Sequence, residues 1–409
     1  MEREAWIIDA VRSPRGIGKQ GKGSLAPIHP QKILGQVLSG LQERVGFDPG
    51  DVEDVVCGNG AHAGDHAHDI GRMAVLDAGW PVSVPGVTLN RFCGSGQQAV
   101  TFGAMGVLAG HQDLVIGCGV ESMSHRARNG TDGFHANNEH LLSTHPQVPQ
   151  GLSADLIASL DGRSRADCDQ VGVTSQERAA RAIEEGRFDR SLIPIKNDDG
   201  TVALDREEFP RPGTTLESLA ELRPSFVKMD EFKFEQSDAT MRELVAQKYP
   251  GVELQHVHHA GNSSGVVDGA GAVLLASPDY ARAHGLKPRA RIKMSAVAAE
   301  EPLIMLTAPG PAAMKCLQKA GMKKNDIDLF EVNEAFASVI LRFFQDTGAD
   351  PDKVNVNGGA IALGHPIGAT GAMLVGTVID ELERRDLTTG LVAMCTGGGM
   401  GTATIVERI

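Results

Sequence analysis

The chain has 409 residues, a formal net charge of −13 and 49 glycines, so it exceeds one simple core and calls for two or three domains. The acidic balance, without any basic run, excludes a nucleic-acid surface, and no segment approaches the roughly 20 apolar residues that span a bilayer. Six well-separated cysteines with no CxxC pair argue against a disulfide framework and for a reducing, cytoplasmic setting.

The N-terminus, MEREAWIIDAVRSP, is charged and then strand-like, without an apolar signal core. Trp6 to Ala10 predicts a first strand, and a Gly/Pro-rich loop runs to Pro30. Ile33 to Val45 predicts an amphipathic helix closed by Gly46. A buried strand, DVVCGN, follows at Asp54 to Asn59. The next loop carries His62, His66 and His68 with Asp65 and Asp69. That spacing could suit a divalent ion, but a polar loop or interface packing is the preferred reading.

Val87 to Gln98, VTLNRFCGSGQQ, reads as strand, tight turn and the start of a helix of small residues. Cys93 then stands at a helix N-terminus, where unpaired N–H groups and the helix dipole favour a thiolate. Taken alone, a lone cysteine there is better explained by core packing. Another strand begins near Asp113, and a polar region follows from about Met123 to Leu254. There, Gln170 to Glu185 predicts a helix, 205–215 an ordered loop, and the charged stretch 227–249 a solvated excursion. The HVHH run at 256–259 could contact a ligand phosphate or serve the structure.

The first half has an echo in the second. DLFEVN (328–333) matches DVVCGN, VNVN (354–357) matches VTLN (87–90), and GLVAMCTG near Gly390 matches DLVIGCG near Asp113. Three landmarks in one order predict two copies of one strand–helix unit, with a mostly parallel sheet and helices packed on it. In the second copy GGAIALGHPIGATG (358–371) places His365 on a glycine-lined loop, with Pro366 predicted at the first position of a helix reaching Arg385. Cys395 ends an apolar strand and TGGGMG turns the chain into the last one. Two cysteines and a histidine at Gly-rich element ends suit acyl transfer. One thiolate attacks, a base keeps it charged, a second acid/base moves a proton and glycine N–H groups hold an oxyanion.

NRFCGSG (90–96), NEAFA (333–337), GGAIALGHPIGATG (358–371) and CTGGGMG (395–401) resemble the signature blocks of the thiolases, the acetyl-CoA C-acyltransferases and C-acetyltransferases. RPGTTLESLAELRPSF (211–226) and AGNSSGVVDGAGAVLLAS (260–277) resemble further blocks of that family. The resemblance spans nearly the whole chain. It implies an α/β fold of duplicated five-stranded halves, layered α-β-α-β-α, with an inserted loop domain. The halves would comprise residues 1–122 plus 255–278 and residues 279–409, and the coenzyme A-binding loop domain residues 123–254.

By motif, the resemblance implies that Cys93 is the S-acylated nucleophile, His365 its base and Cys395 the acid/base acting on the acetyl methyl. Asn333 would hold a water that forms one oxyanion site with His365, and the N–H groups of Cys93 and Gly397 a second. Arg211 and Ser264 would contact coenzyme A, and Phe226, Met305 and Phe336 would line the substrate site. An ordinary thiol pKa of about 8.5 means that Cys395 needs only about one to two units of tuning. The family implies acyl-CoA and CoA as substrates, no bound cofactor or metal, and a homodimer or homotetramer; the short segment between Met123 and Gly151 leaves those two open.

Departures from the family blocks lie at Gln97-Gln98, Pro149-Gln150, Leu306-Thr307-Ala308-Pro309 and His258-His259, and in the 227–249 insertion. They leave the reaction class intact and point to a preferred acyl group other than acetoacetyl. A decarboxylating ketoacyl synthase and a silent acyl-CoA carrier are the rival readings. The second-cysteine block opposes the first, and intact Cys93, Asn333, His365 and Cys395 oppose the second.

Overall fold

The computed structural model describes residues 3–125 and 134–409; residues 126–133, part of the short 123–151 segment, lie outside them. The first strands are β1 (Trp6–Arg12), β2 (Gly16–Ile17), β3 (Asp54–Gly58), β4 (Gly86–Leu89) and β5 (Leu114–Ser122). Helices α1 (Pro30–Val45), α2 (Ile70–Asp77) and α3 (Ser95–Ala109) lie between them. An excursion then carries α4 (Glu139–Thr144), α5 (Gln150–Leu160), α6 (Arg165–Glu184), the hairpin β6 (Ile195–Lys196) and β7 (Val202–Leu204), α7 (Leu216–Ala220) and α8 (Met241–Lys248). The chain returns through β8 (Val267–Ala276), α9 (Pro278–Ala283), β9 (Ala290–Ala299), α10 (Pro309–Ala320), β10 (Leu329–Val332) and α11 (Ala337–Thr347). It finishes with α12 (Ala360–Leu363), α13 (Thr370–Arg384), β11 (Thr389–Thr396) and β12 (Met400–Arg408).

Local sequence accounts for the elements. Helix α1 starts with Pro30 after His29, whose ring accepts from the Gln31 N–H, and stops at Gly46 with φ 79°. Ile33, Leu34, Val37, Leu38 and Leu41 recur at helical spacing and are buried, each worth about 1.5–3 kcal/mol. Helices α3 and α13 meet each other and touch strands of both halves, while α1 and α2 cover one outer face and α10 and α11 the other. The layers are therefore α-β-α-β-α. Close approach in the central layer requires glycine: a Cβ on Gly371 would lie 2.2 Å from the Gln97 nitrogen.

One sheet runs in the order β10-β11-β12-β9-β1-β8-β5-β3-β4, with β2 beside β8. Its halves, β4-β3-β5-β8-β1 and β10-β11-β12-β9, share four strands in the same course and join where Trp6 and Ile7 pair with Arg291 and Ala290. Among the described residues the five strands expected in the second half are therefore four, β4 having no counterpart there. The expectation of a mostly parallel sheet is wrong. Strand β3 runs parallel to β4 and β5, and β10 to β11, but β5–β8, β8–β1, β11–β12 and β12–β9 are antiparallel. The tight glycine turn after Cys395 makes β11–β12 a hairpin, and the excursion returns the chain antiparallel to β5.

Three other expectations need correction. VNVN is not a strand, since only Val354 bridges, to Phe330. Asn355 takes over the ladder instead, accepting from the Val332 N–H (2.7 Å) and donating to the Val332 carbonyl (2.8 Å). Pro366 does not open a helix: α13 begins at Thr370, and the Ala369 and Thr370 N–H groups bond back to the Pro366 carbonyl. The intervening Gly368 packs against Gly58 and Asn59, and its N–H donates to Glu121. The 227–249 stretch is not a solvated excursion. Phe234, Met241, Leu244 and Val245 are buried in one cluster with Leu152, Met305, Phe336 and Cys395. Among the described residues, no helix is long and apolar enough to cross a membrane.

Candidate active site

The turn between β4 and α3 aims Cys93. Phe92 adopts φ +49°, a left-handed conformation that a bulky residue holds only when its surroundings impose it. Asn90 Oδ1 accepts from the Phe92 N–H at 2.7 Å. Ser95 Oγ accepts from the Arg91 N–H at 2.8 Å and donates to the Phe92 carbonyl at 2.6 Å. Cys93 lands one residue ahead of the α3 cap, Gly94. A Cβ on Gly94 would sit 2.8 Å from Thr396 Cγ2, so the turn lies against the strand end that carries Cys395.

His365 follows Gly364 (φ +95°), and its N–H donates to the Gly265 carbonyl at 2.9 Å. Its Nδ1 lies 2.6 Å from Thr370 Oγ1, which itself donates to the Pro366 carbonyl at 3.0 Å. With that hydroxyl hydrogen already committed, Nδ1 carries the proton and Nε2 is bare. Asn333 Nδ2 then donates to Nε2 at 3.4 Å. Asn333 Oδ1 is buried with no hydrogen-bond partner among the described residues. Burial, reinforced by the Arg15 charge, pushes the His365 pKa down to about 3, so the resting imidazole is a neutral acceptor.

Cys395 is fully buried at the end of β11. Burial, then the nearby Cys93 sulfur, push its thiol well above the ordinary range. This reverses the downward tuning expected from the sequence: the resting group is a protonated thiol in an apolar wall. Gly397 opens the next turn, and a Cβ there would lie 2.7 Å from Phe134 and 3.0 Å from Phe92. The turns bearing Cys93 and Cys395 therefore pack on each other, and the Asn333–His365 pair is joined by a hydrogen bond.

Met305 (φ +60°) and Phe336 are buried with Cys395 in the cluster beneath α8. Phe226 stands edge-on to Phe336, ring centroids 5.9 Å apart. Ser264 donates its N–H to the Ala335 carbonyl at 3.0 Å, beside the Gly265 that holds His365. Arg211 lies outside this cluster, exposed at the rim of a cavity of about 170 Å³ that Phe209, Gly261 and Ile361 also line.

The HVHH run serves the structure. His258 Nδ1 lies 2.7 Å from Asp155, His259 Nε2 2.7 Å from Asp169, and His256 bridges Asp155 and Asp230 at 2.8 and 3.1 Å. The earlier histidine loop is likewise engaged. His66 Nε2 accepts from the Ser122 N–H, Asp65 pairs with His125, and Asp69 caps α2 and accepts from Thr88.

Sequence reasoning missed Thr370, Arg15 and Gln97. Gln97 looked like a departure in an apolar position. It crosses the central layer instead, donating to the Val392 carbonyl and Thr404 Oγ1 and accepting from Thr402. Its place four residues after Cys93, on the buried face of a glycine-rich helix, was the available signal.

Residues 5–232 match the family model "Thiolase, N-terminal domain" and residues 286–408 "Thiolase, C-terminal domain". A steroid 3-ketoacyl-CoA thiolase of Mycobacterium tuberculosis is 40% identical over 417 residues, covering 99% of this chain and 94% of that protein. A beta-ketoadipyl-CoA thiolase of Pseudomonas aeruginosa is 38% identical over 430 residues and covers 100% of both. The crystal structure of the Bacillus anthracis acetyl-CoA acetyltransferase superposes with a TM-score of 0.85 at 33% identity, over 100% of this chain and 99% of that one.

Proposed function

This chain belongs to the thiolase family, and on that premise we propose how its residues divide the work. It is an acyltransferase that cleaves 3-ketoacyl-CoA with CoA, or condenses acyl-CoA with acetyl-CoA. The family acts on CoA thioesters without a bound cofactor.

In cleavage, His365 Nε2 takes the Cys93 proton and the thiolate attacks the keto carbon of the substrate. The bond to the α-carbon breaks, leaving the acyl group on Cys93 and an acetyl-CoA enolate. Cys395, held as a thiol by burial, delivers its proton to that α-carbon. CoA thiol then attacks the acyl thioester, the Cys395 thiolate takes up its proton, and Cys93 leaves as thiolate to recover its own proton from His365. The protonated His365 and a water held by the Asn333 amide would stabilise the enolate oxygen, and the Cys93 and Gly397 N–H groups the tetrahedral oxyanion. Condensation runs the same steps backwards. The Asn333–His365 hydrogen bond, together with the packing of the Cys93 turn on the strand end that carries Cys395, supports this reading.

The preferred acyl group is one other than acetoacetyl. Phe234, Met241, Leu244 and Val245 thicken the apolar wall behind Met305 and Phe336, and relatives of this chain carry names for steroid and beta-ketoadipyl substrates. Arg211, Ser264 and Phe226 would form the coenzyme A side. Thiolysis kcat/KM across a 3-ketoacyl-CoA series should peak away from acetoacetyl-CoA; a sharp optimum there contradicts this assignment.

A homodimer or homotetramer is supported by edge strand β4, with Val87 exposed, next to exposed Phe102, Met105 and Leu108 along α3. Sedimentation of wild type and F102E would test it: a smaller species for the variant is expected, and an unchanged one contradicts this face. Six buried thiols suit a reducing compartment, the cytoplasm. The proposed units are 1–122 with 255–278, 123–254, and 279–409.

A further inference from the structure

Behind the His365 loop lies a cavity of about 10 Å³ whose lining includes Arg15, Glu331, Asn333, Gly364 and Thr370. Asn333 and Thr370 are the two residues that hold the imidazole nitrogens. Arg15 therefore shares a wall with both of them. Its side chain is 3% exposed, and Nη1 lies 2.8 Å from Glu207 Oε1. Arg12 binds the same oxygen at 2.6 Å, so two guanidiniums share one carboxylate. The second Glu207 oxygen accepts the Arg15 backbone N–H at 2.8 Å. Arg15 Nε is buried with no hydrogen-bond partner among the described residues.

We propose that Arg15 is a positioning residue of the thiolase reaction: clamped by Glu207 behind the loop, its guanidinium adds to burial in keeping His365 neutral with Nε2 bare, and makes it a readier proton donor once it has taken the Cys93 proton. This rests on the reading of His365 as the base for Cys93. A buried positive charge raises the cost of forming an imidazolium beside it. The same charge helps the imidazolium return its proton to a departing thiolate.

The other ionisable groups on elements packed around the loop do not replace it. Glu331 faces the same cavity, and burial, with Glu334 and Glu381, pushes its carboxyl well above the ordinary carboxylate range. Glu334 is bonded to Ser175, Asn355 and the Ile361 N–H. Glu121 accepts from Gly60 and Gly368, and Asp268 from Ser124. Cys93 and Cys395 are the thiols in front. Arg15 is the charge that acts on the imidazole.

The test is iodoacetamide alkylation of Cys93 at about pH 6 and about pH 10, below and above the ordinary thiol range. Removing Arg15 should raise the imidazole's proton affinity and with it the resting thiolate–imidazolium population. The ratio of the rate at the lower pH to that at the higher should rise about tenfold in R15Q, one pKa unit, and return to wild type in R15K. A merely loosened site would speed both rates equally and leave the ratio unchanged, which would overturn the proposal. R15Q leaves Arg12 and Glu207 as a balanced pair. Should it nevertheless fail to fold, E207Q gives the opposite arm: with both guanidiniums uncompensated, its ratio should fall, and a rise would overturn the proposal. H365N separates the two readings. If H365N leaves the wild-type ratio unchanged, His365 is not the base. If H365N changes it and R15Q does not, the assignment to Arg15 alone fails.

Discussion

Asn59 and Asn333 end equivalent strands, β3 and β10, in the two halves of the sheet, and they are used differently. Asn59 is fully engaged: Oδ1 accepts from the Ala61 and His62 N–H groups at 3.1 Å each, and Nδ2 donates to the Val120 carbonyl at 2.9 Å. Asn333 offers Nδ2 to His365, and its Oδ1 has no partner among the described residues. The cysteines repeat the contrast. Cys118 pairs in register with Cys57 inside the first half, whereas Cys395 stands at a strand end beside Cys93. Equal scaffold positions thus carry closed hydrogen bonding in one copy and open capacity in the other. Buried polar groups left under-satisfied are costly to keep, and they collect where chemistry is done.

Mutations can break this comparison. The largest effect should come from C93A, which removes the proposed nucleophile. Thiolysis should fall at least about 10⁴-fold while the melting temperature holds, whereas C118A should retain turnover and lose stability instead. Steady-state rates and thermal melts check both. Between the asparagines, N333A should lower kcat by about 10²–10³ with little change in denaturation midpoint. N59A should cost about 1–3 kcal/mol of stability and leave kcat closer to wild type. A large kcat loss in N59A would erase the distinction.

The seam between the halves should be the next most sensitive. Arg289 binds Asp9 at 2.8 Å, Asp380 at 2.5 Å and Glu383 at 2.7–2.9 Å, joining β1 to α13. R289M strands three acidic groups, and urea denaturation should show a loss of about 3–5 kcal/mol. Q97L removes three buried hydrogen bonds and should cost about 1–3 kcal/mol in the same assay.

The last contrast is confined to acid pH. His365 has its pKa lowered to about 3 in the fold, against about 6.5 unfolded. The unfolded chain binds the proton more readily, so this contribution is intact above about pH 6.5 and lost as pH falls towards about 3. H365N should flatten the acid side of a stability-versus-pH curve in that window.

Much of this was legible beforehand because the signals were local. Strand ends at Asn59 and Cys395 are marked by glycine, and Gly46 stops α1. The misreadings share one physical origin, which is that the deciding partner is distant in sequence. Asn355 looked like strand because its side chain imitates a ladder to Val332. The charges of 227–249 hid an apolar face, although Met241, Leu244 and Val245 stand at helical spacing. Pro366 cannot start a helix because Gly368 must first meet Gly58 and Glu121. Gln97 and the HVHH run looked like departures until Thr402, Thr404 and the buried aspartates supplied their partners. The rise in the Cys395 pKa depends on burial, which composition does not show.

The central claim is that Cys93 carries the acyl group while Cys395 and His365 move protons. Acetyl-CoA without acceptor, rapid acid quench and peptide mass spectrometry test it most directly. Acylation should map to the peptide containing Cys93 in wild type and in C395A, and should vanish in C93A. An acyl group on Cys395, or one that persists in C93A, would contradict the account.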